Sequence, residues 1–325
     1  MQQPVRWGVL GASDFARRHM ARAIHMAEGA DLTALATSDP AKASGFLAFA
    51  PNMRLHDSYD ALLADSGIDA IYIPLPNHLH VEWTRKCLEA GKHVLCEKPI
   101  AMRADQIDGL IASRDASGLL AAEAYMIVHH PQWQHARALF EAGEIGNLVR
   151  VDGAFSYDNR SDRDNIRNRA ETGGGGIPDI GVYTFGSARF VTGEEPTEIL
   201  STAITWENNV DVWAHVTAQF PSFHYAAVNS MRMSPWQEMV FQGDRGIMRL
   251  SAPFNAGNFG EAQVHLHSAD NNVQTWRWPG VNQYVLQVEA FGRALRGHEE
   301  YLCPLEFSKG TQRMIDMVFD HAAAK

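Results

Sequence analysis

Cysteine is scarce: Cys87, Cys96 and Cys303 are the only three in 325 residues, and none forms a CxxC pair. A disulfide framework and a cysteine zinc site are thereby excluded, and a reducing compartment, the cytoplasm, is expected. Positive charge is also short. Lysine and arginine number 28 against 38 acidic residues, for a formal net charge of -10. Neutralising phosphates takes a basic surface, so neither nucleic acid nor an anionic membrane is an expected partner. No apolar run approaches the roughly 18 residues of a bilayer span. The first strand is expected from Val5 onward, so no secretory leader is expected. Fixed-period repeats, low-complexity tracts and Gly/Ser linkers are missing too. What is present is a 46% hydrophobic composition and a length beyond that of a usual single domain, enough for two cores around small-molecule chemistry.

The first third alternates short apolar runs with amphipathic stretches, the pattern of a parallel sheet wrapped by helices. Strands are expected at Val5–Leu10, Leu32–Thr37, Ala70–Pro74, His93–Cys96 and Leu119–Ala124. Helices are expected at Phe15–Ala27, Pro40–Ala50, His78–Ala90 and Arg103–Ser117. After Ala124 the pattern changes. A helix at Pro131–Ala142 precedes long strands of antiparallel type, beginning with Leu148–Tyr157. In the strand Val210–Phe220, Val212, Ala214, Val216, Ala218 and Phe220 face one way, while Asp211, Trp213, His215, Thr217 and Gln219 face the other. The half-polar face with its tryptophan suits a subunit contact, so a homodimer or higher homo-oligomer through this sheet is expected. Helices at Tyr284–Leu295 and Ser308–Ala323 close the chain.

Between the first strand and helix lies Gly11-Ala12-Ser13-Asp14-Phe15-Ala16, a GxGxxG/A variant. Gly11 permits the tight turn, Ser13 offers a hydroxyl, and a helix N-terminus presents N–H groups to a pyrophosphate. Gly11, Ser13, Asp14 and Phe15 are therefore expected cofactor contacts. The second strand ends Ala36-Thr37-Ser38. An NAD site usually places an acid there, whereas Thr37, Ser38 and Lys42 suit a 2′-phosphate. Asp39 before Pro40 reads as a helix cap. NADP is favoured and NAD retained. The third strand exits through Pro74-Leu75-Pro76-Asn77-His78-Leu79-His80, a stiff shelf; Pro74, Leu75, Asn77 and His80 are expected beside the nicotinamide half. His78 and His80 lack the i, i+4 spacing of a helical metal pair, so capping or surface roles are expected of them, and no metal site is expected in the chain.

Glu97-Lys98-Pro99 follows the apolar run His93–Cys96 and sets Lys98 at a strand's carboxyl end, the edge where open α/β sheets bind ligands. Glu97 is expected to meet the nicotinamide or fix Lys98. Further on, Asn165-Ile166-Arg167 leads into Gly173-Gly174-Gly175-Gly176-Ile177-Pro178-Asp179-Ile180-Gly181-Val182-Tyr183. The glycine run reads as close backbone approach to a ligand. If Pro178 opens a helix, Asp179 and Tyr183 share one face.

On these residues the chain resembles the glucose-fructose oxidoreductase/inositol dehydrogenase (Gfo/Idh/MocA) family. Its carriers are Gly11-Ala12-Ser13, Pro74 to His80, Glu97-Lys98-Pro99, His130-Pro131-Gln132, Asn165-Ile166-Arg167 and Gly173 to Tyr183. The resemblance implies an α/β Rossmann domain over 1–124 that binds NAD(P). It also implies an α+β domain over 125–325, an open, mostly antiparallel sheet with helices on one face, used for substrate binding and oligomerisation. It implies hydride chemistry on sugars, cyclitols or related diols. Tyr183 resembles the glucose-fructose oxidoreductase and dihydrodiol/xylose dehydrogenase branch, where many other members carry histidine. Two departures stand out: Ile127-Val128-His129 occupies the place of a substrate-side tyrosine and arginine, and Thr37-Ser38 the place of Ser-Arg.

Oxidising an alcohol needs a base for the hydroxyl proton while hydride leaves the same carbon. Tyr183 is the candidate acid/base. A phenol ordinarily ionises near pH 10, so the Lys98 ammonium would serve by stabilising the phenolate. Asp179 would orient substrate, and Lys98, Tyr125, Arg167, Asp179 and Tyr183 are the expected substrate contacts. Two other classes compete. A non-catalytic nucleotide-binding regulator would be favoured by loss of Lys98 or Tyr183, both of which are present. A metal hydrolase would need a carboxylate constellation beside His129/His130/His135 or His265/His267, and the sequence supplies none.

Overall fold

A computed structural model describes residues 3–270 and 272–324. Its contacts divide the chain into two compact units, 1–129 with 282–309 and 130–281 with 310–325. Where one crossing near 124 was expected, the chain crosses three times. The reason lies in the late helix Gln283–Leu295, whose Phe291 packs on Trp7 of the first strand (ring centroids 5.0 Å apart) and whose Tyr284 meets Phe15.

The first unit is built on six parallel strands: β1 Val5–Leu10, β2 Ala30–Ala36, β3 Arg54–His56, β4 Ala70–Ile73, β5 His93–Cys96 and β6 Ala121–Glu123. Their order is β3-β2-β1-β4-β5-β6, the doubly wound arrangement that binds dinucleotides where strand order reverses. Trp7, Val9, Ile71, Ile73, Val94 and Leu95 are buried, as continuous apolar strands covered on both faces should be. Strand β3 and the helix Tyr59–Leu63 had no counterpart in the sequence reading. β3 is an edge strand of three residues, none of them fully buried, and carries no apolar signal.

The second unit holds eight strands: β7 Leu148–Asp158, β8 Glu198–Glu207, β9 Val210–Gln219, β10 His224–Ser230, β11 Arg232–Gly243, β12 Gly246–Ser251, β13 Ala262–Ser268 and β14 Val273–Trp278. Their order is β14-β13-β12-β11-β7-β10-β9-β8. All pairs are antiparallel except β7 with β10. Helices Pro131–Glu141 and Val182–Thr192 pack on its inner side. Trp133 Nε1 donates to the Pro253 carbonyl (2.7 Å), and Gln132 Nε2 donates to the carbonyls of Ser251 and Gln263 (2.8 and 2.9 Å). Every residue of Val182–Val191 is buried.

Alternation along β9 holds for Trp213, His215, Thr217 and Gln219, all partly exposed, and fails for Asp211, which is buried. The β8 pairing shifts register there: Thr205 pairs Trp213 but Trp206 pairs Asp211. This bulge turns Asp211 from the half-polar face to the covered one. No helix among the described residues is long and apolar enough to cross a membrane.

Candidate active site

In the first unit the turn after β1 brings Gly11 to φ +98°, where a side chain would also crowd Leu75 and the Tyr59 hydroxyl. Only glycine is at ease there. The helix that follows opens with a π-turn at Ala16–Met20, a wider turn of a kind common at functional sites. Ser13 Oγ accepts the Ala16 N–H (3.1 Å), so its hydroxyl serves as a helix cap. Asp14 pairs with Arg17 and Arg18, and these partners hold its carboxyl below the usual range. Phe15 packs at a tilt on His19 and edge-on against Tyr284.

At the end of β2, Asp39 is the cap the sequence suggested: its Oδ1 accepts the Ala41 N–H (3.0 Å), with Pro40 next in the helix. Thr37 Oγ1 accepts the Asp39 N–H (3.1 Å). Ser38 and Lys42 stand exposed beside it. A hydroxyl, an ammonium and a helix N-terminus with its one acid tied into the cap fit a ribose phosphate.

The Glu97-Lys98-Pro99 loop is clamped from three sides. Tyr72 Oη donates to Glu97 Oε1 (2.6 Å), and Glu97 Oε2 lies 3.4 Å from the Lys98 N–H. Burial pushes the Glu97 carboxyl up. Glu123 Oε1, at the end of β6, accepts the Ile100 N–H (2.8 Å). His80 is the third clamp and corrects the expectation of a capping or surface role: it is wholly buried, with Nδ1 2.7 Å from the Pro99 carbonyl and Nε2 2.7 Å from the Leu75 carbonyl. Carbonyls only accept, so both bonds form together only on a ring carrying both protons. Burial outweighs the two carbonyls and lowers its pKa, which favours the neutral ring that donates to one carbonyl at a time. His80 thus ties the proline shelf to the lysine loop. The ring of Tyr125, an expected substrate contact, is buried against Phe307. Tyr72 and Glu123 escaped the sequence reading because their roles come from strand neighbours, β4 beside β5 and β5 beside β6.

In the second unit the helix opens one residue before Pro178, as a π-turn at Ile177–Gly181 that runs into Val182–Thr192. Asp179 lies in that turn, buried. Its Oδ1 meets Arg167 Nε (2.8 Å) and its Oδ2 accepts the Tyr157 hydroxyl (2.6 Å). Asp179 in turn holds the Arg167 guanidinium still further above its ordinary pKa, and Tyr183 adds to that field. Arg167 is thus committed to an ion pair, beyond the plain sugar contact expected of it. The Tyr183 ring lies against Phe155 and Phe254, centroids 5.7 Å away in each case. Tyr157, at the end of β7, was missed; burial and the Asp179 charge push its phenol well up. Arg232 holds the loop bearing Arg167: Nη1 donates to Asn159 Oδ1 (2.6 Å) and Nη2 to Asn168 Oδ1 (3.0 Å).

The glycine run closes on protein and not on open space. A Cβ at Gly174 would lie 2.5–2.7 Å from the carbonyls of Arg167, Ile166 and Arg169, and one at Gly175 would fall inside the Asp211 carboxylate. Where close approach to a ligand was expected, protein groups fill the side-chain space at Gly174 and Gly175. His129 and His130 are also interior groups. Burial lowers them to about 3 and about 4, and His130 Nδ1 accepts the Gln132 N–H at a helix start (3.0 Å).

A doubly wound sheet with a glycine turn, followed by a sheet unit that buries an Asp–Arg–Tyr cluster, defines a nucleotide-binding oxidoreductase of two parts. A family model described as "Oxidoreductase family, NAD-binding Rossmann fold" matches residues 5–125, and the GFO/IDH/MocA C-terminal domain model matches residues 133–249. An oxidoreductase of Rhizobium meliloti is 34% identical over 97% of this chain and 96% of its own length. The D-xylose 1-dehydrogenase (NADP(+)) 2 of Haloferax volcanii is 31% identical, with 97% of each chain covered. A solved 3-ketoreductase from Actinomadura kijaniata, in complex with NADP and TDP-benzene, superposes with a TM-score of 0.90 at 28% identity, covering 98% of both chains. The chain belongs to the GFO/IDH/MocA oxidoreductase family and is a nicotinamide-dependent enzyme.

Proposed function

We propose that this enzyme transfers hydride between NADP and a hydroxyl or carbonyl carbon of a sugar or sugar derivative, with Tyr183 as acid/base and Lys98 and Asp179 assisting. One observation carries the reading: Asp179, buried and held by Arg167 Nε and Tyr157 Oη, sits in the turn that leads directly to Tyr183. A buried carboxylate with two fixed partners is a directed acceptor, suited to orienting a hydroxyl. When bound, the nicotinamide accepts or delivers the hydride. Tyr183 takes the alcohol proton in oxidation and returns it in reduction, at its phenolic oxygen. Lys98, an ammonium beside a clamped backbone, favours the phenolate and the developing alkoxide charge. Its assignment to the same reaction as Tyr183 comes from chemistry and family resemblance.

NADP is preferred over NAD because Ser38 and Lys42 stand exposed while Asp39 is engaged as a cap. The xylose dehydrogenase carries NADP(+) in its name, and the ketoreductase was solved with NADP. Solved forms of that ketoreductase also include one with a lysine replaced by alanine and one with a tyrosine replaced by phenylalanine, the two residue types central here. The partly exposed face of Trp213, His215, Thr217 and Gln219 supports a homo-oligomer through the second unit's sheet.

The test is a panel of aldoses, cyclitols, diols and dTDP-linked keto sugars, assayed with NADP(H) and NAD(H) in both directions. Turnover of a sugar-type substrate with NADP preferred is the expected result. Failure to bind either nucleotide overturns the reading.

A further inference from the structure

Asp211 belongs to no sequence motif and lies outside the cluster just described, yet the π-turn is built against it. The β9 bulge turns it inward, where it is 1% exposed. Its Oδ2 accepts the N–H of Ile177, first residue of the π-turn, at 2.6 Å. Its Oδ1 has no hydrogen-bond partner among the described residues. Gly175, at φ +127°, leaves no room for a Cβ beside this carboxylate, and a Cβ at Gly176 would lie 3.1 Å from Oδ2. At Gly175 the carboxylate occupies the space that a side chain would fill, and at Gly176 it crowds that space.

We propose that Asp211 is a positioning residue of the reaction, the brace that fixes the π-turn carrying Asp179 and leading to Tyr183. The inference rests on the reading of Asp179 and Tyr183 as reaction residues. A single buried carboxylate receives the first N–H of the turn, excludes a side chain at Gly175 and crowds one at Gly176. Movement of Asp211 is therefore transmitted to Asp179, two residues beyond Ile177, and through the helix to Tyr183.

The brace is also titratable. Burial, with the Asp179 charge adding to it, pushes its carboxyl up to about 7, against the backbone N–H groups of Ile177, Asp211 and Gly176, which favour the ionised form. The groups that face this region are Asp179 and, bonded to Asp179, Arg167 and Tyr157; Met231 and Tyr157 pack on the flanking Val210 and Val212. Above pH 7 a second anion stands near Asp179. Below it Asp211 is neutral, so the ionisation of the brace enters the pH dependence of turnover.

The experiment compares Asp211→Asn, Gly176→Ala and Tyr183→Phe with the wild type, using NADP(H) and the best-turned-over sugar of the panel. Asp211→Asn keeps an acceptor for Ile177 but loses the charge. It is expected to lower kcat by about 10- to 100-fold, leave the NADPH Kd within about twofold, and remove an inflection near pH 7 from the log kcat profile. Its Tm relative to the wild type should rise by at least about 3 °C between pH 5.5 and 8, because only the wild type buries a charge above 7. Gly176→Ala, at helical φ and ψ, shifts the carboxylate by a few tenths of an ångström and should lower kcat by about threefold to tenfold. It decides the question if Asp211→Asn does not fold. Wild-type kcat and pH profile in the folded Asp211-side variants, with kcat lost in Tyr183→Phe, overturn the inference alone. Wild-type kcat in Tyr183→Phe overturns the reading beneath it and the inference with it.

Discussion

The two units solve the same problem by different means. Each offers a candidate reacting side chain at the start or end of an element, and each fixes the backbone around it with buried ionisable groups. In the first unit the clamps come from strands adjacent in the sheet, Tyr72 and Glu123, and from a helix start, His80, all within about 26 residues of Lys98. In the second, two partners are as near and one comes from farther along the chain. Tyr157 and Arg167 precede Asp179, and Asp211 reaches back 34 residues to Ile177 through a strand bulge. Both units also open the helix of their motif with a π-turn, at Ala16–Met20 and Ile177–Gly181. The difference lies in the route: the first unit's clamps stand on regularly paired neighbouring strands and a helix start, whereas the second unit's farthest partner, Asp211, is brought in by a shift of strand register.

The comparison breaks most sharply at its reacting residues. Lys98→Ala should lower kcat by about 1,000-fold or more while NADPH binding, followed by fluorescence titration, stays within a few-fold. Full turnover in that variant removes the first unit's lysine from the chemistry. Asp179→Asn should cost about 100-fold in kcat, because Arg167 then faces a neutral amide, and steady-state kinetics would detect any smaller role. Stability separates the units more gently. His80→Ala leaves two buried carbonyls without their partner and opens a cavity, so it should cost about 2–4 kcal/mol in urea unfolding; a loss below about 1 kcal/mol would show that the shelf and the lysine loop stand independently.

The pH dependence of stability sharpens the contrast further. His129 and His130 are depressed to about 3 and about 4 from 6.5 in the folded chain. The unfolded chain therefore takes up protons first. Their contribution is complete above pH 6.5 and is lost as pH falls from there toward 4. Asp211, raised to about 7, works with the opposite sign, its folded form gaining as pH drops below 7. Two groups against one make the net effect a loss, so Tm should fall between pH 6.5 and 4.5, and fall more steeply in Asp211→Asn. The smallest expected effect is on assembly: Trp213→Ala should weaken the oligomer seen by light scattering without altering kcat more than about twofold.

Much of the fold was legible because burial leaves a pattern. β1 and β5 fall within the bounds their apolar runs suggested, and Asp39 and the helix-start Pro40 read correctly as a cap. The edge strand β3 and the short helix after it were illegible, since a half-exposed three-residue strand has no hydrophobic period to read. In the site, residue types were legible and their partners were not. Lys98, Asp179 and Tyr183 announce themselves by spacing. Asp211 was misread because strict alternation puts it on the half-polar face, and a bulge is invisible in one strand's sequence. In the glycine run, what approaches Gly175 and Gly176 is the side chain brought in by that bulge, and what approaches Gly174 is the backbone of the preceding loop.

Tyr183→Phe offers the most direct test, with kcat and the NADPH Kd measured on one preparation of folded protein. A fall in kcat of at least about 100-fold with Kd unchanged is the predicted result, since the phenolic oxygen moves the proton and the first unit holds the nucleotide. A kcat within a few-fold of the wild type would contradict the assignment of Tyr183 as the acid/base.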